Sequence, residues 1–366
     1  MKIINPESNY LSTEGLTPYQ FIEKIGRTCY KSLDKITEDS AVKFVSGLVK
    51  SRHLAMLEHH WVHIMYRGDC ESLKMDFDRY AYEYDHNMGE TYDYTHHVEI
   101  TRNRYLYISA PLRVFLEFAE SSMKYAEEYK NQEVTKFNAS MSRVYCMLNS
   151  VCDSYPEVFE AIGYKKQETP YDYTFMFDVM SEDDLCNNIA CDMIQFSTDS
   201  VVKEIMKHRV HSVLFVCDRG VSHEFVRHRP ASFAQESTRY CNYSKDKFGN
   251  EITVIKPFFF NRFDTTASNV LYDDSTYSAW LLACEKCEDY YFALLERGAT
   301  PQEARTVLPN SLKTEIIITA NEKEWQHIIN LRYLGTTGSP HPQMKESMSL
   351  IVKDLWIESN GRLNIK

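Results

Sequence analysis

The chain of 366 residues carries neither a GxGxxG run nor a GxxxxGK[ST] loop. Those absences speak against a Rossmann or kinase-like nucleotide site. It also lacks an excess of positive charge. Its 41 Lys and Arg face 52 Asp and Glu, leaving a formal −11, which argues against a general nucleic-acid binder and makes any local basic patch a specific pocket. No apolar run is long enough to span a bilayer, and the opening residues, MKIINPESNY, are polar, so neither a membrane segment nor a secretory signal is expected. The 10 cysteines show no small-scaffold spacing, which fits a reduced, cytoplasmic compartment. Cys284 and Cys287 form a lone CxxC inside a helical pattern with no second pair, and are read as helix residues. His53, His59, His60 and His63 suit neither a zinc finger nor an HExxH helix, so no metal is expected.

Apolar residues make up 43% of the chain, enough for a sizeable core in two domains, or in one domain with a large insertion. Thr17-Pro18-Tyr19-Gln20 predicts a capping box opening a helix to about Ser32 that buries Phe21, Ile22, Ile25 and Cys29. Residues 38–52 repeat the helical pattern with Val42, Val45, Leu48 and Val49. HWVHIMY then alternates with period two, as a strand does. Tyrosines crowd residues 80–107, a stripe read as core and interface before base stacking. Helical patterns follow near 111–130 and 133–151, and then an acidic, loop-rich stretch over 165–190.

Residues 221–243 read VSHEFVRHRPASFAQESTRYCNY. A strand-like run, VHSVLFVCD, precedes them, and an extended, polar segment, SKDKFGNEITVIKP, follows. Ser222 can cap a short helix with Glu224, Arg227 and His228 on one face, which Pro230 must stop. Guanidinium forks at Arg227, Arg229 and Arg239, beside Ser232, Gln235, Ser237, Thr238 and free backbone amides, form a cradle suited to phosphate. Downstream, a long helix over 273–297 ends at Gly298. Thr300-Pro301-Gln302-Glu303 opens a short helix carrying Arg305. The strand TEIIITA reaches Asn321, a cap with Glu324 reaching back. Lys323, His327 and Asn330 share one face of the following helix, with Arg332 beyond it, and a last helix runs from about Pro342 through Trp356. Strands and helices mix without a βαβ repeat, which predicts an α+β fold with a mainly antiparallel sheet and flanking helices.

Arg227-His228-Arg229, seven residues, then Ser237 resembles the RHR-x7-S signature of flavin-dependent thymidylate synthases. The run S-x-x-Q-x-S-x-R-Y from Ser232 to Tyr240 is similar too, as is the H-x-x-x-x-E-H stretch from His53 to His59. The resemblance covers roughly 17–65, 210–260 and 273–357. It implies a thymidylate synthase-complementing type core at 1–65 and 210–366, within a single domain 1–366. A mostly helical insertion at 66–209 has no counterpart of its size in short members.

The resemblance further implies an enzyme that binds FAD, dUMP, 5,10-methylenetetrahydrofolate and NADPH. Such an enzyme methylates uracil C5 with reduction by flavin hydride and uses no cysteine nucleophile. It implies a homotetramer with shared sites. Arg227, His228, Arg229, Gln235, Asn321, Lys323 and His327 would face FAD. Glu224, Arg227, Gln235, Glu236, Ser237, Thr238, Arg239, Arg305 and Arg332 would face dUMP. His53 and Tyr240 would lie near folate and flavin, and Arg332 would act catalytically by favouring ionisation of uracil N3.

Departures from short members are Glu224 for glutamine, Lys323 for arginine, Ala55 for a hydroxyl residue, and a longer loop, YLGTTGSPHP. HPQM in that region resembles a longer branch of the family. Glu224 beside a nucleotide phosphate needs neutralising, by Arg227 or His223. Two rival readings are a related flavin enzyme acting on another nucleotide, and a non-catalytic nucleotide-binding protein. The synthase reading requires that the separate arginine-bearing segments converge in the folded assembly.

Overall fold

A computed structural model describes residues 1–69, 72–73, 97–100, 105–129, 135–168, 173, 176–239, 241–245, 248–260 and 276–366. Two short strands open the chain, β1 (Lys2–Ile4) and β2 (Glu7–Tyr10). Helix α1 (Pro18–Cys29) starts at the expected capping box, with Thr17 and Gln20 bonding reciprocally. Phe21, Ile22, Ile25 and Cys29 are buried on it as predicted. Helix α2 (Ser40–Lys50) buries Ala41, Val45, Leu48 and Val49. Val42, expected inside, is exposed in the first turn, although it lies only about 20° from Val49 at the edge of the same stripe.

A 3-10 turn (Leu54–His59) leads into β3 (Trp61–Arg67). This strand is buried along six of its seven residues, where the alternation predicted a half-exposed one. The reason is cover on both faces. Val62, Ile64 and Tyr66 join one hydrophobic cluster, and Met65 joins another with Tyr107, Leu185 and Ile189. Next come β4 (His97–Ile100), β5 (Tyr105–Pro111), α3 (Leu112–Tyr129), α4 (Thr135–Ser154), α5 (Pro156–Ala161) and β6 (Phe177–Met180). Of the tyrosine stripe, Tyr105 and Tyr107 stand on β5, and residues 80–96 lie outside the described residues.

The acidic stretch is less loop-like than predicted. Glu182, Asp183 and Asp184 form the first turn of α6 (Glu182–Asp192), where Ser181 caps the helix and negative charge complements the free amides. Helix α7 (Thr198–His208) delivers the chain to β7 (Val210–Asp218), the strand read as VHSVLFVCD. Then follow α8 (Arg219–Phe225), β8 (Ser232–Gln235), β9 (Thr253–Ile255) and α9 (Thr276–Glu296). Gly298, at φ +91°, accepts the left-handed turn after α9. The chain closes through α10 (Pro301–Ala304), β10 (Lys313–Asn321), α11 (Glu322–Ile329), α12 (Pro342–Ser349) and α13 (Val352–Glu358). The last two break at Leu350–Ile351, where one helix was predicted.

Strand order is β2-β7-β10-β8 in one sheet and β4-β5-β3-β6 in a second. Both are antiparallel, while β1 and β9 form a separate parallel pair. In the first sheet Ile316 and Ile318 meet Phe215, Phe225 and Trp325 on one face, and Ile317 meets Phe21, Ile25 and Ala234 on the other. The second sheet shares its core with the N-terminal helices, since Val45, Leu48 and Leu57 cluster with Leu106, Phe115 and Phe159. Besides their helices, the described residues of 66–209 thus supply three strands, β4, β5 and β6, and bury apolar surface against the N-terminal segment. No described helix is long and apolar enough to cross a membrane.

Candidate functional site

The local build of the basic stretch differs from the sequence expectation. Asp218, not Ser222, caps α8. Its carboxylate accepts from the Val221 amide at 2.8 Å, and its extended backbone is that of a cap. Ser222 lies inside the helix and donates to the Arg219 carbonyl at 2.9 Å. The helix ends at Phe225, whose ring packs on Phe215 with centroids 4.5 Å apart. Arg227 and His228 therefore sit in the turn after the helix, and Arg229 and Pro230 in the next one.

Asn321 caps α11 as predicted, accepting from the Glu324 amide at 2.9 Å. The Glu324 side chain does not reach back to close a box. Its carboxylate meets His228 Nδ1 at 3.2 Å instead. Beyond α11 the backbone widens into one π turn at Asn330–Leu334, closed by Gly335 at φ +74°. Gly335 is required there twice over: a Cβ would also sit 3.0 Å from the Gly338 carbonyl and from Pro340. Such a bulge commonly marks a functional position, and it carries Arg332.

These elements enclose a cleft of about 740 Å³, within the size range of small-molecule sites. Arg227, His228, Arg229, His327 and Arg332 line it with Glu224 and Glu324, and the loop Thr337–His341 forms one wall. Arg227 and Arg229 are exposed, while His228 is 4% exposed. Arg332 Nε lies 3.1 Å from His228 Nε2. A guanidinium only donates, so Nε2 must be the acceptor, and Nδ1 then carries the proton it gives to Glu324. The buried imidazole is thus engaged at both ring nitrogens. Arg332 also donates to the Glu224 carboxylate at 2.8 Å and to the Glu224 carbonyl at 3.1 Å. The neutralising partner of Glu224 is thus Arg332 rather than Arg227 or His223.

His228, Glu324 and His327 offer donor atoms within 4.8 Å of one another. Both His228 nitrogens are already engaged, and Arg227, Arg229 and Arg332 surround the group, so an added cation would meet repulsion. The net positive lining fits an anionic ligand better.

The remaining predicted residues do not line this cleft. Gln235 donates to Ser222 and Thr314 at 2.9 and 3.1 Å, tying β8 to α8 and β10. Glu236, 3% exposed, turns towards Lys313 at 2.9 Å and faces a separate cleft of about 520 Å³. Burial alone would lower the Lys313 ammonium, but Glu236 and Glu315 beside it hold it above the usual lysine range. Thr238 accepts from Arg305 at 3.4 Å, Arg239 donates to Gln302 at 3.2 Å, and the Ser237 hydroxyl accepts the Arg239 amide at 3.3 Å. Arg239 and Arg305 are exposed. Lys323 is exposed outside the lining, Asn321 is buried as a cap, and His53 is exposed before the 3-10 turn. Tyr240 lies outside the described residues.

The arginines thus form two groups in one chain. Arg227, Arg229 and Arg332 share the cleft, and Arg239 and Arg305 stand outside it at the other end of β8. The sequence reading missed Glu324 as a partner of His228, and Thr337–His341 as a wall. The three-residue spacing of Glu324 and His327 puts them on one helix face, but no local signal pairs Glu324 with His228.

The sequence profile described as thymidylate synthase complementing protein matches residues 160–355, just over half of the chain. The chain belongs to the thymidylate synthase complementing protein family. That matched span holds both arginine groups and begins inside the segment read as an insertion. Among similar proteins of this family, the flavin-dependent thymidylate synthase of Geobacter sulfurreducens is 33% identical over 114 residues, which are 31% of this chain and 43% of that protein. The one from Corynebacterium diphtheriae is 32% identical over 152 residues, 37% of this chain and 57% of that protein. The chain therefore spans about half the length of these relatives. A solved structure, the UMP/dUMP methylase PolB from Streptomyces cacaoi bound with 5-Br dUMP, is similar at a TM-score of 0.34 and 19% identity, covering 50% of this chain and 83% of that one.

Proposed function

We propose that this protein is a flavin-dependent thymidylate synthase. It would convert dUMP to dTMP with 5,10-methylenetetrahydrofolate as carbon donor and NADPH as reductant through FAD. One observation carries this reading: Arg227, Arg229 and Arg332 surround a buried His228 in a cleft of about 740 Å³. FAD supplies a hydride acceptor and donor when bound, and the cleft's size and cations fit its pyrophosphate and ring. Arg227 and Arg229 would hold phosphate oxygens, and His327, exposed at the rim, would face the ring system. Arg332 would stabilise negative charge developing on the pyrimidine, a permanent cation acting without giving up a proton.

Glu236, Ser237, Thr238, Arg239 and Arg305 would bind dUMP from a second subunit. This division explains why one chain leaves them outside the cleft, and it supports a homotetramer with shared sites. Residues 1–65 and 210–366 would form the catalytic core, residues 66–209 would be an insertion packed on it, and the enzyme would work in the cytoplasm. The test is spectroscopic. Purified protein should be yellow or become so with FAD, NADPH should bleach it faster with dUMP present, and dTMP should form once methylenetetrahydrofolate is added. A protein that stays colourless with excess FAD defeats the reading.

A further inference from the structure

Glu224 stands where short relatives were expected to carry an uncharged glutamine, and its role follows from what it holds. Arg332 has five N–H donors. One goes to His228 from Nε, one to the Glu224 carboxylate from one terminal nitrogen, and one to the Glu224 carbonyl from the other. A single residue therefore grips both arms of the fork, and His228 grips its stem. Two N–H groups remain, one on each arm. The helix that carries the gripping residue is anchored at both ends. Glu224 sits on α8 beside Phe225, which is wholly buried, and the cap of that helix, Asp218, also accepts from Gln343 at 2.6 Å. The Arg332 and Glu224 side chains are 17% and 28% exposed, so solvent competes weakly for these charge-assisted bonds.

We propose that Glu224 is the positioning residue of Arg332, fixing the plane of the guanidinium while offsetting part of the cleft's charge. This rests on the synthase reading for its substrate, though not for its geometry. The charged lining is Arg227, Arg229 and Arg332 against Glu224 and Glu324. Removing the Glu224 charge makes that wall more attractive to an anion and leaves Arg332 less well aimed. Affinity and turnover then move in opposite senses, because charge sets binding and alignment sets the transition state.

The test compares the holoenzyme with Glu224→Gln, which keeps the shape of the side chain. Phenylglyoxal labelling, read peptide by peptide, reports access to Arg332 against the exposed Arg227 as internal reference. Arg332 should label slowly in the parent and roughly fivefold faster in the variant, as expected when one charge-assisted bond is weakened. In steady state the variant should show both a lower KM for dUMP and a lower kcat, each by about threefold to tenfold. A residue that merely supports the fold would raise KM, or lower the yield of folded enzyme, without exposing Arg332. Equal labelling rates in the two proteins overturn the proposal. If labelling rises but the parent makes no dTMP, the grip stands and the synthase reading falls.

Discussion

The two ends of β8 hold their polar groups in opposite ways. At the Ser232 end, Arg332, Glu224, His228 and Glu324 bond to one another in an unbroken chain, and the imidazole at its centre is buried. At the Gln235 end, Glu236 is turned inward to Lys313, while Arg239 and Arg305 reach into solvent with bonds of 3.2 and 3.4 Å to neighbours. The first end is tied together within the chain, and the second carries its arginines at the surface. Preorganised donors lower a barrier, whereas exposed, adaptable ones chiefly supply affinity. Under the proposed function, the contrast fits chemistry at one end of the strand and recognition at the other.

The largest expected effect tests the internally bonded end. Arg332→Ala should lower kcat by about 10²- to 10³-fold, the usual loss of one preorganised charge donor, with FAD still bound and its spectrum retained. Activity within a few-fold of the parent would move the chemistry away from this cleft.

Next in size is the anchor behind the other end. Lys313→Met leaves the Glu236 carboxylate, 3% exposed, without its partner at 2.9 Å. Losing one partner of a buried pair costs up to about 3 kcal/mol, and Lys31, 3.8 Å from Glu236, offsets part of that loss. Urea unfolding should register this as a lower midpoint with unchanged slope. An unshifted midpoint would mean that the network is hydrated and that the inward turn of Glu236 does not set the shape of the loop.

A subunit-mixing experiment asks whether the two ends meet across an interface. Arg332→Ala and Arg305→Ala chains, each nearly inactive alone, are co-expressed. If every site draws one end from each of two chains, random assembly leaves about a quarter of sites intact, so activity should recover to about a quarter of the parent's. No recovery would place both ends of each site in the same chain, and the separation seen here would then need a rearrangement within the chain.

Much of this arrangement was legible in the sequence where the signal is local. The capping boxes at Thr17 and Thr300, the strand VHSVLFVCD and the Asn321 cap all depend on residues within four positions of one another. Ser222 failed as a cap because Asp218, four residues earlier and the last residue of that strand, takes the role. The partners that define the cleft were illegible for another reason. Glu324 meets His228 across 96 residues, and Arg332 meets Glu224 across 108. Only the order β7-β10-β8 brings α8 beside α11. The π turn that aims Arg332 leaves no periodic trace in NLRYL.

Ser237→Ala gives the smallest effect and the finest separation of the two ends. Its hydroxyl accepts the Arg239 amide at 3.3 Å, a long bond at a loop, so its loss should leave the folding midpoint almost unchanged. The same hydroxyl is placed by the proposed function on dUMP, where one lost polar contact is worth about 0.5–1.5 kcal/mol. KM for dUMP should therefore rise about threefold to tenfold, with kcat within about twofold of the parent. The comparison turns on which constant moves. A fall in kcat at unchanged KM would show that this end of β8 takes part in the chemical step, and the division between a rigid reacting end and an adaptable binding end would have to be abandoned.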